Sequence, residues 1–235
     1  MRLFLLSGVL LGCPGKNTGV DPRDRPEESD VETEDTDVDL TPQFEFQVAV
    51  IPEDIQATMR GITWTSDCPV SLNDLRMVSL THWDFEGQAT TGVLIVSEDA
   101  AGSLEGVFRT AFETGFAIEK MRPIVEFGGS DDASMAANNT SAFNCRKVTG
   151  GSSWSQHSYG DAIDFNPIQN PYVRGSSVYP SAGEPYSQPD QRDASVMGLL
   201  TDESPVVLAF MDLGWGWGGD WSSLKDYQHF SENGN

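Results

Sequence analysis

Between Asp21 and Leu40 the chain carries ten acidic residues, two arginines and no aromatic residue. Such a stretch cannot bury enough apolar surface to offset its ordering entropy, and its like charges repel one another. Residues 14–42 therefore read as an acidic disordered linker, and the folded unit must lie within residues 43–235, a length suited to one ordinary domain. Asp35, Asp37 and Asp39 alternate as in a calcium loop, but the Gly and distal Glu such a loop needs are missing. The whole chain has a formal charge of −22, with 36 acidic against 14 basic residues. A phosphate backbone would repel it, so nucleic acid is excluded as a partner.

Ahead of the linker, Met1-Arg2 supplies a short positive start and Leu3 to Leu11 an apolar run. Nine residues are too few to span a bilayer, which takes about 20, but they suit the apolar core of a signal peptide. The run ends in Leu10-Leu11-Gly12-Cys13, which resembles the lipobox of bacterial lipoproteins. The resemblance implies a signal peptide over residues 1–13, lipidation of Cys13, and an exported protein anchored to a bacterial membrane. The competing reading is an ordinary secretory signal in which Cys13 is incidental. Two further cysteines, Cys68 and Cys145, form an even pair, and an oxidising compartment favours a disulfide between them. Two buried free thiols are the alternative.

The folded unit opens near Phe44. Arg76 to Trp83 and Thr90 to Val96 are rich in strand formers and flank Asp84 to Gln88, so they read as a hairpin. Leu104, Val107, Phe108, Ala111 and Phe112 recur at helical spacing, and Gly115 follows as a stop. A second helix is expected over Ser204 to Leu213, with Ser204 as its cap, Pro205 at its first position and Gly214 past its end. Glu126 to Arg146 and Phe165 to Gln191 read as polar loops, and long loops inside a compact domain tend to be functional. Strands and helices mix without βαβ alternation, which predicts an α+β fold.

Only three histidines are present, and two sit in dense polar motifs, Ser155 to Asp164 and Lys225 to Phe230. A zinc hydrolase needs three nitrogen or oxygen ligands and one open position for water. His157, Asp164 and His229 supply two nitrogens and a carboxylate, one zinc per chain. Zinc lowers the pKa of its water to about 7, which makes that water the nucleophile. Asp226, three residues before His229, lies close enough to take its proton. The third histidine, His82, reads as structural beside Trp83. Asp161 reads as a surface carboxylate, and Trp215, Trp217 and Trp221 as wall and core. A serine triad could be composed from Ser155, His157 and Asp164, but no nucleophile elbow surrounds any serine.

The SxHxxGxAxD pattern ending at Asp164, followed by a carboxylate three residues before a second histidine, resembles the M15 peptidase family. That family includes zinc D-alanyl-D-alanine carboxypeptidases and L-alanyl-D-glutamate endopeptidases. Met121-Arg122-Pro123, Asn139 to Arg146, Asp164 to Pro167, Asn170-Pro171-Tyr172 and Gly214 to Trp221 also resemble its cell-wall branch. The similarity spans roughly residues 60 to 231. It implies a small α+β domain of the Hedgehog/DD-peptidase type, with a central antiparallel sheet and flanking helices. By the resemblance His157, Asp164 and His229 match the zinc ligands, Asp226 the general base, and Arg146 an oxyanion-stabilising arginine. Ser155 matches a residue of the substrate site. Pairing of Arg146 with Asp131 or Asp132 is the competing reading. The implied substrates are peptidoglycan stem peptides, cut as a D,D-carboxypeptidase or an L,D-endopeptidase would. The alternative is a catalytically silent, zinc-containing lipoprotein that binds cell-wall peptide.

Overall fold

Strand-forming Leu75–Trp83 and Ala89–Ser97 pair in antiparallel register from Leu75 opposite Ser97 to Trp83 opposite Ala89. Asp84 closes the turn between them, its Oδ1 accepting from the Glu86 and Gln88 amides at 3.0 and 2.8 Å. A computed structural model describes Gly15, residues 41–148 and residues 151–234. The signal peptide, Cys13 and the linker to residue 40, apart from Gly15, lie outside the described residues.

The architecture is α+β. Its strands are β1 (Phe46–Val50), β2 (Leu75–Trp83), β3 (Ala89–Ser97), β4 (Lys120–Met121), β5 (Asn139–Thr140), β6 (Ala162–Asp164), β7 (Tyr172–Arg174), β8 (Ser177–Tyr179), β9 (Gly216–Trp217), β10 (Lys225–Asp226) and β11 (His229–Ser231). Its helices are α1 (Glu53–Met59), α2 (Glu98–Ala101), α3 (Glu105–Glu113), α4 (Asp131–Ala136) and α5 (Pro205–Asp212). Antiparallel sheets run in the orders β1-β2-β3, β6-β11-β9 and β10-β7-β8, and β4 and β5 form a short parallel pair.

Period-2 alternation turns Val78 and Leu80 of β2 and Leu94 and Val96 of β3 into the main core. Helical periodicity brings Leu104, Val107, Phe108 and Ala111 onto them, and α5 adds Val206, Val207 and Phe210. Phe165 lies at the centre, within 5.6–5.8 Å ring to ring of Phe108, Phe210 and Phe230. Each fully buried side chain of this kind stabilises the fold by about 1.5–3 kcal/mol. A second cluster, Ile51, Met59, Leu72, Leu75, Ile95 and Phe143, fills the space around α1.

Several details depart from expectation. The Ser204 side chain stands at the start of α5 without capping it, because its Oγ accepts from the Thr201 amide at 2.8 Å instead. The polar stretch Glu126–Arg146 contains α4, whose start is capped by Ser130 Oγ accepting from the Ala133 amide. The stretch Phe165–Gln191 contains the β7–β8 hairpin, turned at Gly175-Ser176. Asp161 is half-buried rather than a surface group, and burial raises its carboxyl above the usual range. His82 is buried with its ring nitrogen 3.2 Å from the Trp83 carbonyl, as a structural histidine should be.

Candidate metal centre

The alternation of two neighbouring strands builds the centre. In the β6–β11 pair His229 stands opposite Asp164, and Phe230 opposite Ile163. Phe230 and Ile163 therefore face the core, while His229 and Asp164 share the other face, although 65 residues separate them. His157 comes from a single 3-10 turn, Gln156–Ser158, that Ser155 caps by accepting from the His157 amide at 3.4 Å. Gly160 ends that turn with φ +81°, and a Cβ there would meet the Ser97 amide nitrogen at 2.5 Å. A glycine is thus required both for the left-handed backbone and for the close approach to β3.

The three side chains converge. His157 Nε2 lies 3.2 Å from Asp164 Oδ2 and 3.2 Å from His229 Nδ1, and His229 Nδ1 lies 3.0 Å from Asp164 Oδ1. All three are nearly buried, the side chains of His157, His229 and Asp164 being 4%, 7% and 13% exposed. The other nitrogen of His157, Nδ1, is 2.6 Å from the Ala142 carbonyl. A carbonyl can only accept, so Nδ1 carries the proton and Nε2 turns its lone pair inward. Burial alone would raise the Asp164 carboxyl, but His157 and His229 outweigh it and hold the group well below the usual carboxylate range. This His-Asp-His group could hold a metal ion.

Asp226 sits on β10, which pairs with β7 so that Asp226 faces Tyr172. Its Oδ1 is buried and has no hydrogen-bond partner among the described residues. Burial, reinforced by the nearby Asp164 charge, raises its carboxyl to about 6. Gly218 makes room for it: a Cβ there would stand 2.5 Å from the Asp226 carbonyl oxygen and 2.9 Å from Asp226 Cβ. From beneath, Tyr227 rests on the Arg192 guanidinium, 3.7 Å from the ring centre. Arg192 donates to the carbonyls of Gln169, Tyr186 and Leu200 and to Asn170 Oδ1, and burial pushes its own pKa down to about 10.

These groups open onto one cleft of about 1050 Å³, lined among others by Arg146, Ser155, His157, Asp164, Asp226 and His229. Every site residue expected from the described sequence thus meets in one place. Arg146 is ion-paired through Nε with Asp131, so the competing reading of this residue holds alongside its place in the cleft. Its neighbour Cys145 is bonded to Cys68. Trp215 and Trp217 are core, and Trp221 lines the cleft 5.5 Å ring to ring from His229. Asn166 and Asn170 brace the loop after Asp164. Asn166 donates to the Ala117 and Gly198 carbonyls and accepts from the Glu119 amide, and Asn170 accepts from the Leu200 amide.

Sequence reasoning missed one wall of the cleft, formed by Tyr172, Arg174, Ser177 and Tyr179. The signal was present: Tyr-Val-Arg and Ser-Val-Tyr mirror each other across a two-residue Gly-Ser turn, a hairpin pattern.

A buried His-Asp-His cluster that could hold a metal ion stands beside the Asp226 carboxylate, whose Oδ1 has no hydrogen-bond partner among the described residues, on an α+β scaffold. Residues 149–232, a little over a third of the chain, match the family model described as D-alanyl-D-alanine carboxypeptidase, which supports an M15 family peptidase. The matched stretch holds Ser155, His157, Asp164, Asp226 and His229, and Arg146 falls just before it. No curated protein and no solved structure gives a significant match.

Proposed function

We propose that the chain is a zinc-dependent peptidase of peptidoglycan stem peptides, with His157, Asp164 and His229 as the metal ligands. The observation that carries this reading is the convergence of three donor side chains beside a carboxylate oxygen, on Asp226, that has no hydrogen-bond partner among the described residues. Zinc ligands on a tetrahedron with bonds of about 2.0–2.2 Å stand about 3.3–3.6 Å apart. The donor atoms here are separated by 3.0–3.2 Å, so a slight spreading admits the ion. Two imidazoles and one carboxylate are also the donor set of catalytic zinc, and three protein ligands leave a fourth position open. When bound, zinc supplies a Lewis acid and a water whose pKa falls to about 7.

The chain's own groups do the rest. Asp226, ionised at neutral pH, accepts the proton of the attacking water and returns it to the leaving amine. Arg146 is steadied by Asp131 and by its own bond to the Lys147 carbonyl, and its remaining donors stabilise the developing oxyanion. Ser155 borders the cleft where the peptide lies. The lipobox-like Leu10 to Cys13 supports export and anchoring to a bacterial membrane through Cys13. Palmitate labelling that persists in a Cys13→Ala variant would reject that anchor.

The test of the enzyme is metal content together with products. The purified protein is expected to hold about one zinc per chain and to release defined fragments from muropeptides, read by mass spectrometry. Asp226→Asn is expected to keep the zinc and lose the fragments. Zinc without any product would favour the silent binding module, and absence of zinc would remove the central claim.

A further inference from the structure

A two-stranded hairpin with a two-residue turn presents matched side-chain pairs on each of its faces. In β7–β8 those pairs are Tyr172 with Tyr179, Val173 with Val178, and Arg174 with Ser177. Val173 packs against the core, and Tyr172, Arg174, Ser177 and Tyr179 all line the cleft. The wall is anchored at the metal centre, because Tyr172 is the strand partner of Asp226. Arg174, two residues further on the same face, stands about 7 Å along the strand from Tyr172.

The charges of the cleft give this arginine a meaning. Its lining contains four carboxylates, Asp131, Asp132, Asp164 and Asp226, and two guanidiniums, Arg146 and Arg174. Arg146 is already engaged by Asp131. Arg174 is exposed and pairs with no carboxylate among the described residues, in a chain with 36 acidic side chains. With a divalent zinc bound as proposed these charges cancel, and Arg174 is the guanidinium of the lining without a carboxylate partner among the described residues. A guanidinium offers the planar fork that fits a carboxylate through two parallel bonds.

We propose that Arg174 is a specificity residue that binds a carboxylate of the peptide substrate, while Tyr172 and Tyr179 pack along the peptide between that carboxylate and the scissile bond. This rests on the peptidase reading above. The carboxylate is either the chain terminus or an internal side-chain or α-carboxylate of the stem, and the two sources call for different reactions. Reading the terminus fits removal of a last residue, and reading an internal group fits a cut within the stem.

Three synthetic stem peptides separate the sources: the parent, its C-terminal carboxamide, and a form with the internal carboxylates amidated. Their kcat/KM is measured with the wild type, Arg174→Gln and Arg174→Lys. With the wild type, one of the two amidations is expected to lower kcat/KM by about tenfold or more, the scale of a lost charge-assisted pair. Arg174→Gln should lose the same factor on the parent and become indifferent to that amidation, and Arg174→Lys should recover part of it. Thermal melting should not change, since the Arg174 side chain makes no hydrogen bond or ion pair among the described residues. Wild-type-like kcat/KM and discrimination in Arg174→Gln would overturn the assignment. If the wild type cleaves none of the peptides, the peptidase reading fails, and calorimetric binding of the same peptides then decides Arg174. Tighter binding of the parent to the wild type than to Arg174→Gln would sustain it, and equal binding would end it.

Discussion

Replacing Asp226 by Asn should abolish turnover and, in the metal-free protein, raise stability in a pH-dependent way. The carboxyl titrates near 6 in the fold against 3.8 in its ordinary state, because burial and the Asp164 charge disfavour the ionised form. The folded pKa is the higher one, so the group's favourable contribution is present at low pH and is lost as pH rises through 6. Above that, the ionised carboxylate costs at most about 3 kcal/mol, and at pH 4.5 about 1 kcal/mol. Asn removes the charge at nearly constant shape. In EDTA the variant should therefore melt about 6–12 °C higher than the wild type at pH 7.5, using about 2–4 °C per kcal/mol for a domain of this size. The gain should shrink to about a third at pH 4.5. Scanning calorimetry of both proteins at the two pH values is the assay. An equal shift at both, or a less stable variant at pH 7.5, would refute the claim that Asp226 is a strained, ionised base. With zinc bound, the cation's charge favours the ionised form of Asp226, so the fall of wild-type kcat/KM with dropping pH should lie below the metal-free titration.

Other perturbations should read out separate parts of the site. Gly218→Ala places a Cβ 2.5 Å from the Asp226 carbonyl oxygen, so kcat should fall at least tenfold while zinc content holds near one per chain; unchanged kcat would show that β10 can yield. Cys68→Ser together with Cys145→Ser opens a 77-residue loop and should cost about 4 kcal/mol in urea unfolding, with no loss counting against the bridge as a stabiliser. Asn166→Ala strands the Glu119 amide and the Ala117 and Gly198 carbonyls, and should cost about 2–4 kcal/mol by the same measurement. His157→Ala should strip bound zinc, measured by atomic emission, whereas His82→Ala should leave it.

Much of this fold could be read from local pattern. The β2–β3 hairpin and α3 announce themselves by alternation and by 3.6-residue spacing, and both are where those periods put them. The candidate metal ligands were legible because His157 and His229 sit in dense motifs, not because anything local joins them. Asp164 meets His229 only because β6 and β11 pair across 65 residues, and His157 joins them from a separate turn, tertiary choices that no window of sequence contains. Helix α4 was hidden because one short polar turn between glycines and asparagines carries little apolar periodicity. The β7–β8 wall was hidden by its surroundings: prolines and asparagines before it and prolines and serines after it gave an eight-residue hairpin the composition of a loop. Arg146 kept two meanings in the sequence, and the structure gives it both an acidic partner and a place in the cleft.

The bridge from Cys68 to Cys145 ties the stretch after α1 to the backbone immediately before Arg146, where the Cys145 amide also donates to the Thr63 carbonyl at 3.0 Å. Three residues earlier the same stretch offers the Ala142 carbonyl that sets the tautomer of His157. One covalent tie thus steadies both the arginine and the support of a metal ligand. Bonds of this type form in oxidising surroundings and stay open in the cytosol. In reducing surroundings the pair would open, so the stiffness of this part of the cleft is tied to the redox state of a single pair of sulfurs.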